Sequence, residues 1–224
     1  MKITKRQKTW ANLDTDKVYA IADAIDALRA YSSKKFDETL EIAIRLGVDV
    51  TKADQNIRGM VSLPNGTGKS VRVAVFTVNS ADEAKKAGAD VVGGEDLIEK
   101  VAAGEINFDR VIATPDMMPK MSKIARVLGP KGLMPNPKLG TVTNNVADAV
   151  ATAKAGQIEY RAEKRGIIHA GVGKMSFATD KLVENINALV EQLKKVKPAS
   201  VKGQYILGAA VATTQGPGLK VDVK

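Results

Sequence analysis

The chain is predicted to fold as α+β and α/β combined: a split two-layer α+β domain with a three-layer α/β domain inserted into it. Three observations carry this. Between 67 and 157, short apolar β-branched runs alternate with short helical stretches, as in an open, mainly parallel sheet covered on both faces. On either side of that segment the texture changes to period-two strands and long amphipathic helices. Turn-forming residues lie at both changes, near 66 and near 157. The expected domains are therefore 1–66 plus 158–224, and 67–157. The first part is thin for an independent core, but together with the last it makes two helices on one antiparallel sheet. Insertion at a loop is tolerated because loop length adds slowly to closure entropy, and two crossings form a natural hinge.

In the first part, Val18, Ile21, Ala22, Ile25 and Leu28 recur at helical spacing, which predicts a helix over 17–32 with capping candidates at 14–16. Leu40, Ile42, Ile44 and Leu46 alternate with polar or small residues, a strand with one buried face. Residues 60–63 form a second short strand. In the middle, strands are expected at 71–78, 90–92 and 110–113, with an extended piece at 141–143. Helices are expected at 81–87, 96–103, 119–127 and 146–155. In the last part, 158–161 and 167–170 flank Glu163-Lys164-Arg165-Gly166 and read as a β-hairpin. Thr179 or Asp180 caps a helix through 195, with Leu182, Val183, Ile186, Leu189, Val190 and Leu193 on one face. Strands at 205–213 and 219–223 end the chain.

Composition narrows the function. The formal net charge is +9, which favours a polyanionic partner without proving one. Its distribution says more: residues 158–224 hold 11 Lys+Arg against 6 Asp+Glu, while the two earlier segments are each only +2. With no cysteine and one histidine, His169, zinc-thiolate and multi-histidine sites cannot be built, so no metal or cofactor is expected. No apolar run suits a membrane span or a signal core, so a cytoplasmic location is expected. No Ser-His-Asp or metal-ligand constellation is visible, which argues against an enzyme.

Two glycine turns keep an enzyme reading open. Asn65-Gly66-Thr67-Gly68-Lys69-Ser70 looks like the end of a phosphate-binding P-loop, but Leu63 stands where that pattern needs glycine, and the loop precedes a strand. Val92-Gly93-Gly94-Glu95-Asp96 opens a helix but lacks the spaced dinucleotide fingerprint. Three other stretches suit RNA. In Lys34-Lys35-Phe36-Asp37-Glu38-Thr39 the cations can meet phosphates, the ring can pack on a base or ribose, and Thr39 can bond a 2′-hydroxyl. Thr213-Thr214-Gln215-Gly216-Pro217-Gly218 offers hydroxyls and amides beside glycine. For these two, a plain solvated turn with Phe36 in the core and an ordinary strand exit remain equally open. The long proline- and glycine-rich loop 128–140 carries Lys131 and Lys138, and such loops usually carry function.

Those segments, with Gly94-Glu95-Asp96-Leu97, Ala113-Thr114-Pro115-Asp116-Met117-Met118 and Gly173-Lys174-Met175-Ser176-Phe177, make the chain resemble the bacterial large-subunit ribosomal L-one family nearly end to end. The resemblance implies that the inserted domain is Rossmann-like. It also implies a protein that is monomeric when free and binds the 23S ribosomal RNA stalk beside the E site of the large ribosomal subunit. It further implies help in releasing deacylated tRNA and repression of its own operon mRNA. Carried over by position, the RNA surface includes Lys35, Phe36, Thr39 and Glu41, joined by Thr213, Thr214, Gln215 and Gly216, with Lys164 and Lys174 nearby. Lys131 and Lys138 are secondary contacts. The family usually has methionine where this chain has Gln215, which turns an apolar contact polar.

Overall fold

A computed structural model describes residues 4–33 and 35–223. In chain order the elements are α1 (Lys5–Thr9), β1 (Val18–Tyr19), α2 (Ile21–Tyr31), β2 (Thr39–Leu46), β3 (Arg58–Ser62), β4 (Val73–Phe76), α3 (Ala81–Lys86), β5 (Val91–Gly93), α4 (Glu95–Ala102), β6 (Arg110–Ala113), α5 (Met118–Met121), α6 (Ala125–Leu128), α7 (Val146–Lys154), β7 (Gln157–Arg161), β8 (Ile167–Lys174), α8 (Thr179–Lys195), β9 (Ile206–Thr213) and β10 (Gly218–Val221). They form two compact units, 1–68 with 158–224, and 69–157. The α+β and α/β fold classes expected from sequence are both present.

The first unit is built on a five-stranded sheet in the order β1-β10-β9-β2-β8. Strand β2 is an interior strand, antiparallel to β8 on one side and to β9 on the other. Its Leu40, Ile42, Ile44 and Leu46 are buried with Ile25 and Leu28 of α2 and Leu182, Ile186, Leu189 and Leu193 of α8. Each such side chain contributes roughly 1.5–3 kcal/mol by leaving water. Helices α2 and α8 cover this face of the sheet. The other unit has a parallel sheet in the order β5-β4-β6. Ala74 and Phe76 of β4 face a core with Leu97, Val101 and Met121, while Val73 and Val75 face one with Ala84, Val146 and Val150. That is why the run reads as continuously apolar.

Four local expectations are corrected. The helix over 17–32 begins only at Ile21. The Asp14 carboxylate takes the backbone N–H groups of Asp16 and Lys17, which turns the chain, and Val18–Tyr19 then pair with Lys220–Val221 at the sheet edge. The hairpin over 158–170 is reduced to one bridge, Ala162 to Ile168. Strand β7 leaves to pair with β3, driven by burial of Tyr160, whose ring lies where a Cβ on Gly59 would sit. Neither Thr179 nor Asp180 caps α8: Ala178 holds that position without a side-chain bond, and the Thr179 hydroxyl donates to Asp26 on α2 at 2.7 Å. Finally, the helix expected over 119–127 is broken into α5, a 3₁₀ turn at 122–124 and α6. This breakage lets Met121, Ile124 and Leu128 all reach the core.

The buried face of α8 also contains a polar residue, Asn185, which is fully buried. Its amide donates to the carbonyls of Gly66 and Val172 at 2.9 and 2.7 Å, and its oxygen accepts from Asn65 N–H at 3.1 Å. It clamps residues 65–66 onto the unit they leave. Asn185→Ala orphans these groups and is expected to lower this unit's stability by about 1–3 kcal/mol in urea denaturation. Tyr205 behaves oppositely. Its hydroxyl is buried without a hydrogen-bond partner among the described residues, and burial pushes its pKa up from the usual tyrosine range to about 12. The folded state favours the neutral phenol, so stability is full below about pH 10 and is lost as pH rises toward 12. Tyr205→Phe should remove that alkaline loss from a pH series of melts while costing nothing at neutral pH.

Candidate nucleic-acid interface

The sheet register arranges the uncovered face in rows. Thr39, Glu41, Ala43 and Arg45 alternate with the core residues of β2, so they point away from the helices. Glu41 lies between Gly171 of β8 and Ala212 of β9, which is followed by Gly218 of β10. Ala43 lies between His169 and Ala210, and Arg45 between Ile167 and Gly208. Small neighbours on both sides leave Glu41 standing above a low surface, and Arg45 has one such neighbour, Gly208. From Thr39 to Arg45 the face runs about 20 Å, at ~3.3 Å per residue.

At one end of this face two turns far apart in sequence meet. The Thr39 N–H donates to the Thr214 hydroxyl at 3.0 Å, and that hydroxyl returns a longer bond to the Thr39 carbonyl at 3.4 Å. The Lys174 ammonium donates to the Thr39 hydroxyl at 3.1 Å and to the Asp37 carbonyl at 3.0 Å. With Lys174 on one lone pair, the Thr39 hydroxyl keeps its hydrogen for an outside acceptor. Asp37 in turn accepts from the Ser176 N–H and hydroxyl.

Beneath them lies Glu38, which the sequence reading left without a role. It is 1% exposed, and its carboxylate accepts the Ser33 N–H at 2.7 Å and the Gln215 N–H at 3.5 Å. One buried carboxylate thus holds the turn before β2 to the turn after β9. The signal was available: Glu38 continues the period of Leu40, Ile42 and Ile44, and a charge on a core face needs partners.

The remaining expected residues fall into clear positions. Phe36 is 42% exposed, so it is not a core residue, and Lys35 beside it is exposed. Lys34 lies outside the described residues. Gln215 is exposed, and Gly216 packs so closely that a Cβ there would lie 2.3 Å from the Thr213 hydroxyl oxygen. Thr213 points inward, 5% exposed, so its side chain is part of the packing under the turn. Lys164 is not beside Lys174: the two stand at opposite ends of β8, about 23 Å apart along the strand. Lys131 and Lys138 are exposed on the other unit, in a loop braced by the mutual bonds of Asn136 and Thr141.

The glycine turns do not present a phosphate cradle. The Gly94 N–H is taken by the Asp96 carboxylate at 2.9 Å, and that bond is the main reason the carboxyl lies below its usual range. An acid already sits where an anion would bind. Asn65 and Gly66 are engaged by Asn185, and their loop leads into β4. His169 is an exposed strand residue bonded to Glu163 at 3.2 Å. Among the described residues no group of three or more His, Asp or Glu could hold a metal, and no helix is long and apolar enough to cross a membrane.

The open sheet face, with Glu41 and Arg45 exposed among small and apolar neighbours, suits contact with an extended ligand. The model of the Ribosomal protein L1p/L10e family matches residues 28–217. The chain belongs to that family, whose members are structural, RNA-binding proteins of the large ribosomal subunit, and it is a ribosomal constituent that binds rRNA.

Because Glu38 joins the two turns, Glu38→Ala is expected to cost about 1.5–3 kcal/mol of stability, the range for bonds to a charged group. Glu38→Gln, which keeps an accepting oxygen, should cost less in the same denaturation series.

Proposed function

We propose that the end of the sheet formed by Lys35, Phe36, Thr39, Glu41, Lys174, Thr214, Gln215 and Gly216 binds the 23S rRNA stalk, forming the mobile arm beside the E site. From there the protein assists release of deacylated tRNA. By binding a mimic of the same RNA fold in its own operon message, it represses its own synthesis. The observation that carries this reading is the 3.0 Å bond from Thr39 N–H to Thr214, which fuses two RNA-suited turns into one surface. The roles divide by geometry. Phe36 offers an exposed ring for stacking and Lys35 a cation for phosphate. Thr39 offers a hydroxyl hydrogen to a 2′-oxygen or phosphate, and Glu41 accepts a 2′-hydroxyl. Thr214 spends its hydroxyl on Thr39, so it positions that residue. Lys131 and Lys138, on the other unit, make secondary RNA contacts.

Binding of a stalk rRNA fragment should weaken as salt rises, because neutralised phosphates release counterions. Phe36→Ala and Thr214→Ala should each lose about 1–3 kcal/mol of affinity. Thr214→Ser, which keeps the hydroxyl, should restore it. Wild-type affinity in both alanine variants would sink the assignment.

A further inference from the structure

The opposite end of the same sheet carries a second basic feature. Arg45, Arg165 and Lys202 converge on a cleft of about 420 Å³ whose floor includes Gly47 and Val201. All three cations are exposed, and none forms an ion pair among the described residues. The single acid lining the cleft, Asp49, is turned into its own loop: it accepts the Thr51 hydroxyl at 2.6 Å and the Thr51 N–H at 3.2 Å. Three unpaired cations around a concave surface, with the one carboxylate engaged elsewhere, make an anion site.

The cleft is held by backbone. Gly166, with φ of 71°, closes the turn that projects Lys164 and Arg165, and its carbonyl accepts the Leu46 N–H at 2.9 Å. The next residue, Gly47, donates to the Tyr205 carbonyl at 2.7 Å, tying the 200–207 segment to the same strand end. A Cβ at Gly47 would lie 2.6 Å from the Gln204 carbonyl oxygen, so the strand and this segment approach as closely as only glycine permits. At Gly208, beside Arg45 in the register, a Cβ would meet nothing within 4 Å, so the approach along the open face is clear.

We infer that this cleft is a second phosphate-binding site for the RNA, gripping the sugar–phosphate backbone of the strand that Thr39 and Phe36 engage about 20 Å away along β2. The inference rests on the proposed RNA surface, because Arg45 shares its face with Thr39 and Glu41. Lys164 is exposed in the same turn as Arg165, next to it in sequence, at this end of β8 and not beside Lys174. An RNA helix lying along β2 would meet specific contacts at one end and charge at the other, which is the usual division between base or ribose readout and backbone positioning.

The test is the salt dependence of binding to a stalk rRNA fragment. The triple variant Arg45→Gln, Arg165→Gln, Lys202→Gln should lower the slope of log affinity against log salt by about 2, since each phosphate contact contributes ~0.7–0.9. Its melting temperature should match wild type because the three side chains are exposed. A control triple on the helical layer, Lys181→Gln, Lys194→Gln, Lys195→Gln, removes the same charge and should leave the slope unchanged. An unchanged slope in the cleft variant, with wild-type binding intact, overturns the cleft alone. An equal fall in the control overturns it too, since overall charge would then explain the effect. Absence of any binding by the wild-type protein would overturn both the cleft and the RNA surface.

Discussion

Strand β2 cannot satisfy its own backbone, and most of the structure answers to that. It has eight residues and lies inside a five-stranded sheet, next to the edge strand β8, so its N–H and C=O groups need a neighbour on each side. Both neighbours, β8 and β9, come from beyond residue 157, after the chain has built the other unit and returned. Neither segment alone closes the sheet. The helices follow the same logic: α2 from the first part and α8 from the last pack side by side on the apolar residues of β2, joined at their edges by Asp26 and Thr179.

The same strand divides two tasks by its period. Its inward residues make the core, and its outward residues make the open face that we propose meets RNA. A strand built this way links function closely to stability, since a shift of one residue would exchange the two sets. At its beginning the division is crossed on purpose. Glu38 sits on the inward side, where a carboxylate is costly unless bonded, and it recovers that cost by bonding Ser33 and Gln215. The result is a rim whose two turns are fixed relative to each other before any ligand arrives.

The second unit solves its local problems internally. Gly94 has its amide capped by Asp96, Asn145 accepts from Asp148 at the start of α7, and the proline-rich loop bonds back on itself through Asn136 and Thr141. Groups that could have cradled a phosphate are thereby spent on closing turns. What this unit presents outward is lysine, at 131 and 138, on a loop whose shape is already set.

The sequence determined the fold classes, the two changes of texture and the core faces. These rest on periodicity, which is local: Leu40, Ile42, Ile44 and Leu46, or Leu182, Ile186 and Leu189, reveal a buried face wherever the partner comes from. It also supplied the stretches suited to RNA, but left two of them, 34–39 and 213–218, balanced against a plain turn or strand exit. Tertiary structure decided where each side chain lies, because a hydroxyl's partners depend on what lies across from it. It exposed Phe36, turned Thr213 inward, spent the Thr214 hydroxyl on Thr39 and separated Lys164 from Lys174. It also moved β7 from β8 to β3 and assembled Arg45, Arg165 and Lys202 from three distant segments. No local pattern encodes these outcomes, since each is set by pairing between strands that the chain brings together only after it has returned.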